Sequence, residues 1–323
     1  MRGRPLPPGA IAMSHAAPRI RYTAGLQEAV VELLLRRRAE AGDAALYEPY
    51  RRAADRIYVQ HVRPEDRRQA FRLLSARFFE ILGGGRPVTD AAGALPPQVD
   101  EIIVSRAWSR TEEGADLGRD RRTVGVRLRP ARFEAPADLT RFLRHEFGHI
   151  VDVLDETFGY GEGLPDPAGA GRPVGEQFRF LWDCSVDGRA VRAGNSPWRT
   201  RAEYEEAGVQ IFAWMPAPAA RAIVTRLWDG DRPTYPMLLR LASDRAALAA
   251  FAGVAVEEGD PPPPAGGRCP LCRFPTYEWA TTIEEAVAAR IRTDFPDWHP
   301  RLKACARCVE GYAVSLQGVL SGS

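Results

Sequence analysis

The chain has 323 residues, 45% of them hydrophobic and 27% charged, enough to bury the core of one large domain with a small second one beside it. Basic and acidic residues nearly balance, 44 against 42, which excludes a protein that binds polyanions through bulk charge. No run approaches the ~18 uninterrupted apolar residues of a membrane span.

The N-terminal stretch M-R-G-R-P-L-P-P-G-A-I-A-M-S-H is basic but lacks an apolar core, so no secretory signal is expected. Met13 is an alternative start to Met1, and the cytoplasm is the expected location. Residues 1–20, rich in Pro, Gly and Arg, are expected to be disordered. A helical region over 21–85 follows, with apolar residues near a 3.6 period in Leu26–Ala41, Ala44–His61 and Pro64–Leu82. Gly83-Gly84-Gly85 ends the third helix. The clusters Arg36-Arg37-Arg38, Arg51-Arg52 and Arg67-Arg68 read as solvated faces of amphipathic helices rather than a nucleic-acid surface. Residues 86–98 read as a Pro/Gly/Ala linker. Glu101–Trp108 and Thr123–Leu128 are β-branched and read as strands, separated by a charged loop.

Residues 144–155 read R-H-E-F-G-H-I-V-D-V-L-D, within a helix predicted over Leu139–Phe158 with Asp138 as N-cap. His145 and His149, four residues apart, share one helix face. Two imidazoles so placed can hold one Zn²⁺, with Glu146 beside them as base for a water. The pattern H-E-x-x-H resembles that of the zincin metallopeptidases, and the two strands before the helix resemble their layout. That resemblance implies an edge strand able to pair with an extended peptide substrate.

A Gly/Pro-rich loop over 159–173 precedes helices predicted at Gly175–Ala193, from a Thr200-x-x-Glu203 capping box to Trp214, and at Pro218–Trp228 and Tyr235–Phe251. A catalytic zinc keeps three protein ligands and one open position. The chain's five histidines leave none just downstream for the third place: His15 and His61 precede the motif, and His299 lies near the C-terminus. A carboxylate is expected instead. Asp155 stands where the metzincin pattern puts its third ligand, but Asp152 replaces the glycine on which that pattern turns, and on a continuing helix Asp155 points away. Asp183 and Asp187, four apart, share a face of the next helix. This resembles the gluzincin arrangement, which implies Asp183 as ligand and Asp187 bonded to a metal-bound histidine N–H, or the two roles exchanged. Arg189 could neutralise the second carboxylate, and Cys184 reads as a core residue. Glu146 would be the general base, with Tyr160 and Tyr204 as candidates to stabilise an oxyanion.

A polyproline-like linker over 255–268 leads to a module at 269–323. It holds Cys269-x-x-Cys272 and Cys305-x-x-Cys308, the spacing of a closed, structural Cys₄ zinc site rather than a redox dithiol. The insert between the knuckles reads as a helix capped by Thr282 with Glu285 at its third position. H-E-x-x-H followed by a Cys₄ ribbon resembles SprT-type metalloproteases, some of which act on proteins attached to DNA. The expected protein is α+β and mostly helical: a zincin-like metallopeptidase domain over 99–254, with a small strand element, and a C-terminal zinc module. It would carry one catalytic and one structural Zn²⁺ and act on a peptide or protein. A nucleic-acid partner has little sequence support and a membrane none. The alternative is a non-catalytic protein that binds a protein or nucleic-acid partner on a zincin scaffold.

Overall fold

The computed structural model describes residues 17–161, 167, 172–254 and 266–320. The chain forms two compact units, one of residues up to Gly161 with Ala190–Trp198, the other of Glu162–Arg189 and Arg199 onward. It is an α+β protein dominated by helices. Among the described residues no helix is long and apolar enough to cross a membrane.

The first unit runs β1 (Arg19–Tyr22), α1 (Ala24–Glu40), α2 (Tyr47–Gln60), α3 (Pro64–Ile81), α4 (Arg86–Ala92), β2 (Glu101–Arg106), β3 (Gly114–Leu117), β4 (Thr123–Leu128) and α5 (Pro136–Leu154). The sheet has the order β1-β2-β4-β3, parallel except for β3, which lies antiparallel to β4 at the edge. Alternate residues of β2 and β4 (Ile102, Val104, Val124, Val126, Leu128) are buried, as the two-residue repeat of a strand requires. They share one core with Leu26, Val30, Val31 and Leu35 of α1, Phe78 and Phe79 of α3, and Leu139, Leu143, Phe147 and Ile150 of α5.

Several elements depart from the sequence expectation. Part of the stretch assigned to disorder is the edge strand β1, paired with β2, while residues 1–16 lie outside the described residues. The segment 86–98 is no linker at its start: α4 buries Pro87, Val88, Ala91 and Ala92. Pro87 sits in the first turn, where a missing N–H costs no helical bond. The charged loop contains β3, whose Gly-Ala-Asp-Leu carries almost no strand propensity. α5 begins at Pro136, so Asp138 lies inside its first turn, ion-paired with Arg141, instead of capping it. The helix stops at Leu154, and the Asp155 carboxylate caps a short 3₁₀ turn by accepting from the Thr157 N–H (2.8 Å) and hydroxyl (2.6 Å).

Just before β3, the Glu113 side chain is 2% exposed between Arg129 and Arg132. Its Oε1 accepts from Arg132 Nε and from the Arg129 N–H, each at 3.1 Å. Arg129 Nε lies 3.1 Å from Oε2, within ion-pair range but off the hydrogen-bond line. Burial pushes the Glu113 carboxyl up, and the bonds from Arg132 and Arg129 more than reverse this, leaving it below the usual range. With the folded value below the unfolded one, this pairing stabilises fully above the unfolded value of ~4.3 and is lost as pH falls through the lower folded value. Thermal melts of Glu113→Gln should therefore show a shallower acid-side fall in Tm than those of the parent. Parallel curves below pH ~4.3 would refute this.

The second unit holds most of α6 (Arg172–Arg192), then α7 (Arg201–Ile211), α8 (Ala217–Asp229), α9 (Tyr235–Ser243) and α10 (Arg245–Ala252). Thr200 and Glu203 form the expected capping box at the start of α7. The single helix expected over Tyr235–Phe251 is broken at Asp244, whose carboxylate accepts from the N–H groups of Ala246 and Ala247 and starts α10. Gly188 lets α6 approach α8 closely: a Cβ there would lie 2.5 Å from the Trp228 carbonyl oxygen. The loop expected over 159–173 and the linker over 255–268 fall mainly outside the described residues.

The knuckles lie in the same unit, with β5 (Gly267–Arg268), β6 (Pro275–Thr276), α11 (Glu285–Asp294) and α12 (Ala306–Leu320). Leu271, Val287, Ala288, Ile291, Trp298 and Ala304 pack with Cys269 and Cys305 in a separate small core. α11 starts at Glu285 after Glu284, so Thr282 does not cap it. Backbone bonds from the Ala280 N–H to Ala304 O and from the Ala306 N–H to Glu278 O hold the chain extended just before it.

Candidate metal centres

The four-residue step from His145 to His149 makes α5 itself the template of the first centre. Their Nε2 atoms lie 3.3 Å apart and the rings meet edge to face, with centroids 4.8 Å apart. Two nitrogens on a tetrahedral zinc with bonds of 2.0–2.1 Å are separated by about 3.3 Å, so the imidazoles already fit such an ion. His145 is buried and Glu146 half-buried, over Leu143 and Phe147 in the core.

Glu146 is held by the edge strand, since its Oε2 accepts from the Ala115 N–H at 3.0 Å. Gly114 permits this approach in two ways. Its φ of 153° is one that side-chain-bearing residues rarely adopt, and a Cβ there would lie 3.2 Å from Glu146 Oε2. Sequence reasoning missed Gly114 and Ala115, and only the glycine could have signalled the close approach.

The coordinating atoms of His145, His149 and Asp183 all lie within 4.8 Å of one another, a group that could hold a metal ion. Asp155, the competing third carboxylate, is used in its 3₁₀ cap. Asp187 does not join this group. Its Oδ2 accepts from the Tyr204 hydroxyl (2.8 Å) and the Arg199 N–H (3.0 Å), so the fully buried carboxylate ties the start of α7 to α6. Tyr204 is thereby removed as an oxyanion donor: its hydroxyl is fully buried, and burial followed by the Asp187 and Asp183 charges drives its pKa far upward. Tyr160 remains exposed. Cys184 is the core residue expected, its thiol pushed up mainly by burial. Arg189 bonds the Ser185 carbonyl.

The second centre brings together Cys269, Cys272, Cys305 and Cys308, with sulfurs within 4.8 Å of one another. Cys269–Cys308 and Cys272–Cys305 stand at 4.0 and 3.9 Å, twice a disulfide length and close to the ~3.8 Å edge of a zinc–thiolate tetrahedron with 2.3 Å bonds. Burial pushes the Cys269 thiol up, but the N–H groups of Cys305, Cys272 and Leu271 overrule it and bring it down to about 7. Burial and the neighbouring sulfurs push Cys308 the other way. Four sulfurs this close cannot all ionise without a cation among them, and the donor set fits a soft, tetrahedral ion.

In comparisons with known proteins, the chain matches no family model, no curated protein and no solved structure.

Proposed function

We propose that the chain is a zinc-dependent metallopeptidase of zincin type, with a catalytic zinc at His145, His149 and Asp183 and a structural zinc at the four cysteines. The observation that carries this reading is the 3.3 Å convergence of the two histidine Nε2 atoms on the helix that also presents Glu146. When bound, the zinc supplies Lewis acidity toward a water and a substrate carbonyl. His145 and His149 hold it through Nε2, and Asp183 adds the negative charge of a carboxylate. Glu146 accepts the water proton on its carboxylate and returns it to the leaving amine. Beyond the Ala115 N–H, which Glu146 takes, the outer edge of β3 would offer its remaining backbone groups to an extended peptide by strand addition. The Cys₄ module has no open position and serves folding. With H-E-x-x-H, it gives the chain the SprT-like order of parts.

Metal analysis tests the proposal. The purified chain should carry two zinc ions, one at each group. A chelator should remove the first and, with it, turnover of an unstructured protein such as casein, and zinc should restore both. A chain with a single zinc that disappears on mutating Cys269 would instead be a binding module.

A further inference from the structure

A backbone group of β3 reaches Glu146, and a second connection, from the residue just before that strand to α5, runs alongside it. The Gly118 N–H bonds the Thr123 carbonyl at 2.7 Å, and the ladder steps from there through Asp116–Gly125 and Gly114–Arg127. In an antiparallel pair the residues between, Ala115 among them, turn their N–H outward. That outward N–H is the one Glu146 accepts. Two residues earlier, just before the strand begins, Glu113 is bonded by Arg132. The Arg132 guanidinium also lies over the Phe142 ring, 4.3 Å from its centroid, and 5.0 Å from that of Trp198. Phe142 and Trp198 themselves meet edge to face at 5.3 Å. Phe142 is four residues before Glu146, on the same face of α5.

We infer that Arg132 is a positioning residue: by tying Glu113 to Phe142 it sets the spacing between β3 and α5 at which the Ala115 N–H aims the Glu146 carboxylate. The planar guanidinium suits this, because one group pairs with a carboxylate and stacks on a ring at once. A lysine could pair with Glu113 but would not hold the ring.

The inference rests on the proposed role of Glu146, and two measurements let the two fail separately. Exchange of the Ala115 amide with solvent, read by ¹H–¹⁵N NMR, needs no turnover. Glu146→Ala should speed it by roughly tenfold, and Arg132→Met should do the same with Glu146 intact. An unchanged rate in folded Arg132→Met overturns the inference. Where that variant does not fold, Glu113→Gln, which keeps the shape of the clamp without its charge, takes its place. Turnover is the second measurement. Arg132→Met should lower kcat about tenfold with KM and zinc content unchanged. Ala115→Pro, which deletes an N–H outside the ladder, should lower kcat similarly, and the double variant should be no worse than either alone. Additive losses overturn the inference. A parent chain that turns over nothing defeats the hydrolytic reading, and amide exchange still decides the positioning role.

Discussion

Replacing Glu146 by glutamine is expected to leave both metals in place and to cut hydrolysis by about a thousandfold, the range a positioned general base supplies. Glutamine matches the carboxylate in size, and its carbonyl oxygen can still accept from the Ala115 N–H, which Glu146 bonds at 3.0 Å. The candidate metal-holding atoms on His145, His149 and Asp183 are untouched. What is lost is only the basicity of one oxygen, so the defect should fall on kcat with little change in KM. Zinc content and turnover measured on one preparation separate this from loss of metal. Full activity in the variant would end the assignment of Glu146 as the base.

Cys269→Ser is expected to release one zinc and unfold the C-terminal module while the histidine centre keeps its metal. The module's core is small, and two of its buried members, Cys269 and Cys305, are themselves metal-holding candidates. A core of that size gives little stability unaided, whereas a structural zinc contributes on the order of 10 kcal/mol in comparable small modules. The Cys269 sulfur also accepts from the Cys305 N–H at 3.4 Å, so the change strikes both knuckles. Hydrogen exchange by mass spectrometry should show protection lost across α11 and α12. A variant that kept both zincs and full protection would remove the structural-zinc reading.

The features legible in the sequence share one property: their geometry is set within a few residues. The step from His145 to His149 places two rings on one face of any helix, within reach of the 3.3 Å at which their Nε2 atoms stand. Each C-x-x-C pair is likewise a local turn, and the Thr200–Glu203 capping box closes within a single turn. The helices α1 and α3, with apolar residues near a 3.6 period, and the β-branched strands β2 and β4 are readable for the same reason.

Tertiary structure decided the rest. β1 and β3 are short, polar or glycine-containing, and become strands only because β2 and β4 offer them an edge. Asp183 and Asp187 are indistinguishable by spacing, yet one groups with the histidines while the other is bound by Tyr204 and Arg199. Glu113 looked like one charge among many in a loop, and burial between two arginines made it a clamp. The sequence by itself determined which side chains could hold a metal, because helix and knuckle geometry carry that information locally. Which carboxylate joins them, and which strand holds Glu146, depends on what each group meets once buried: a buried polar atom must find a partner, and that partner is distant in sequence.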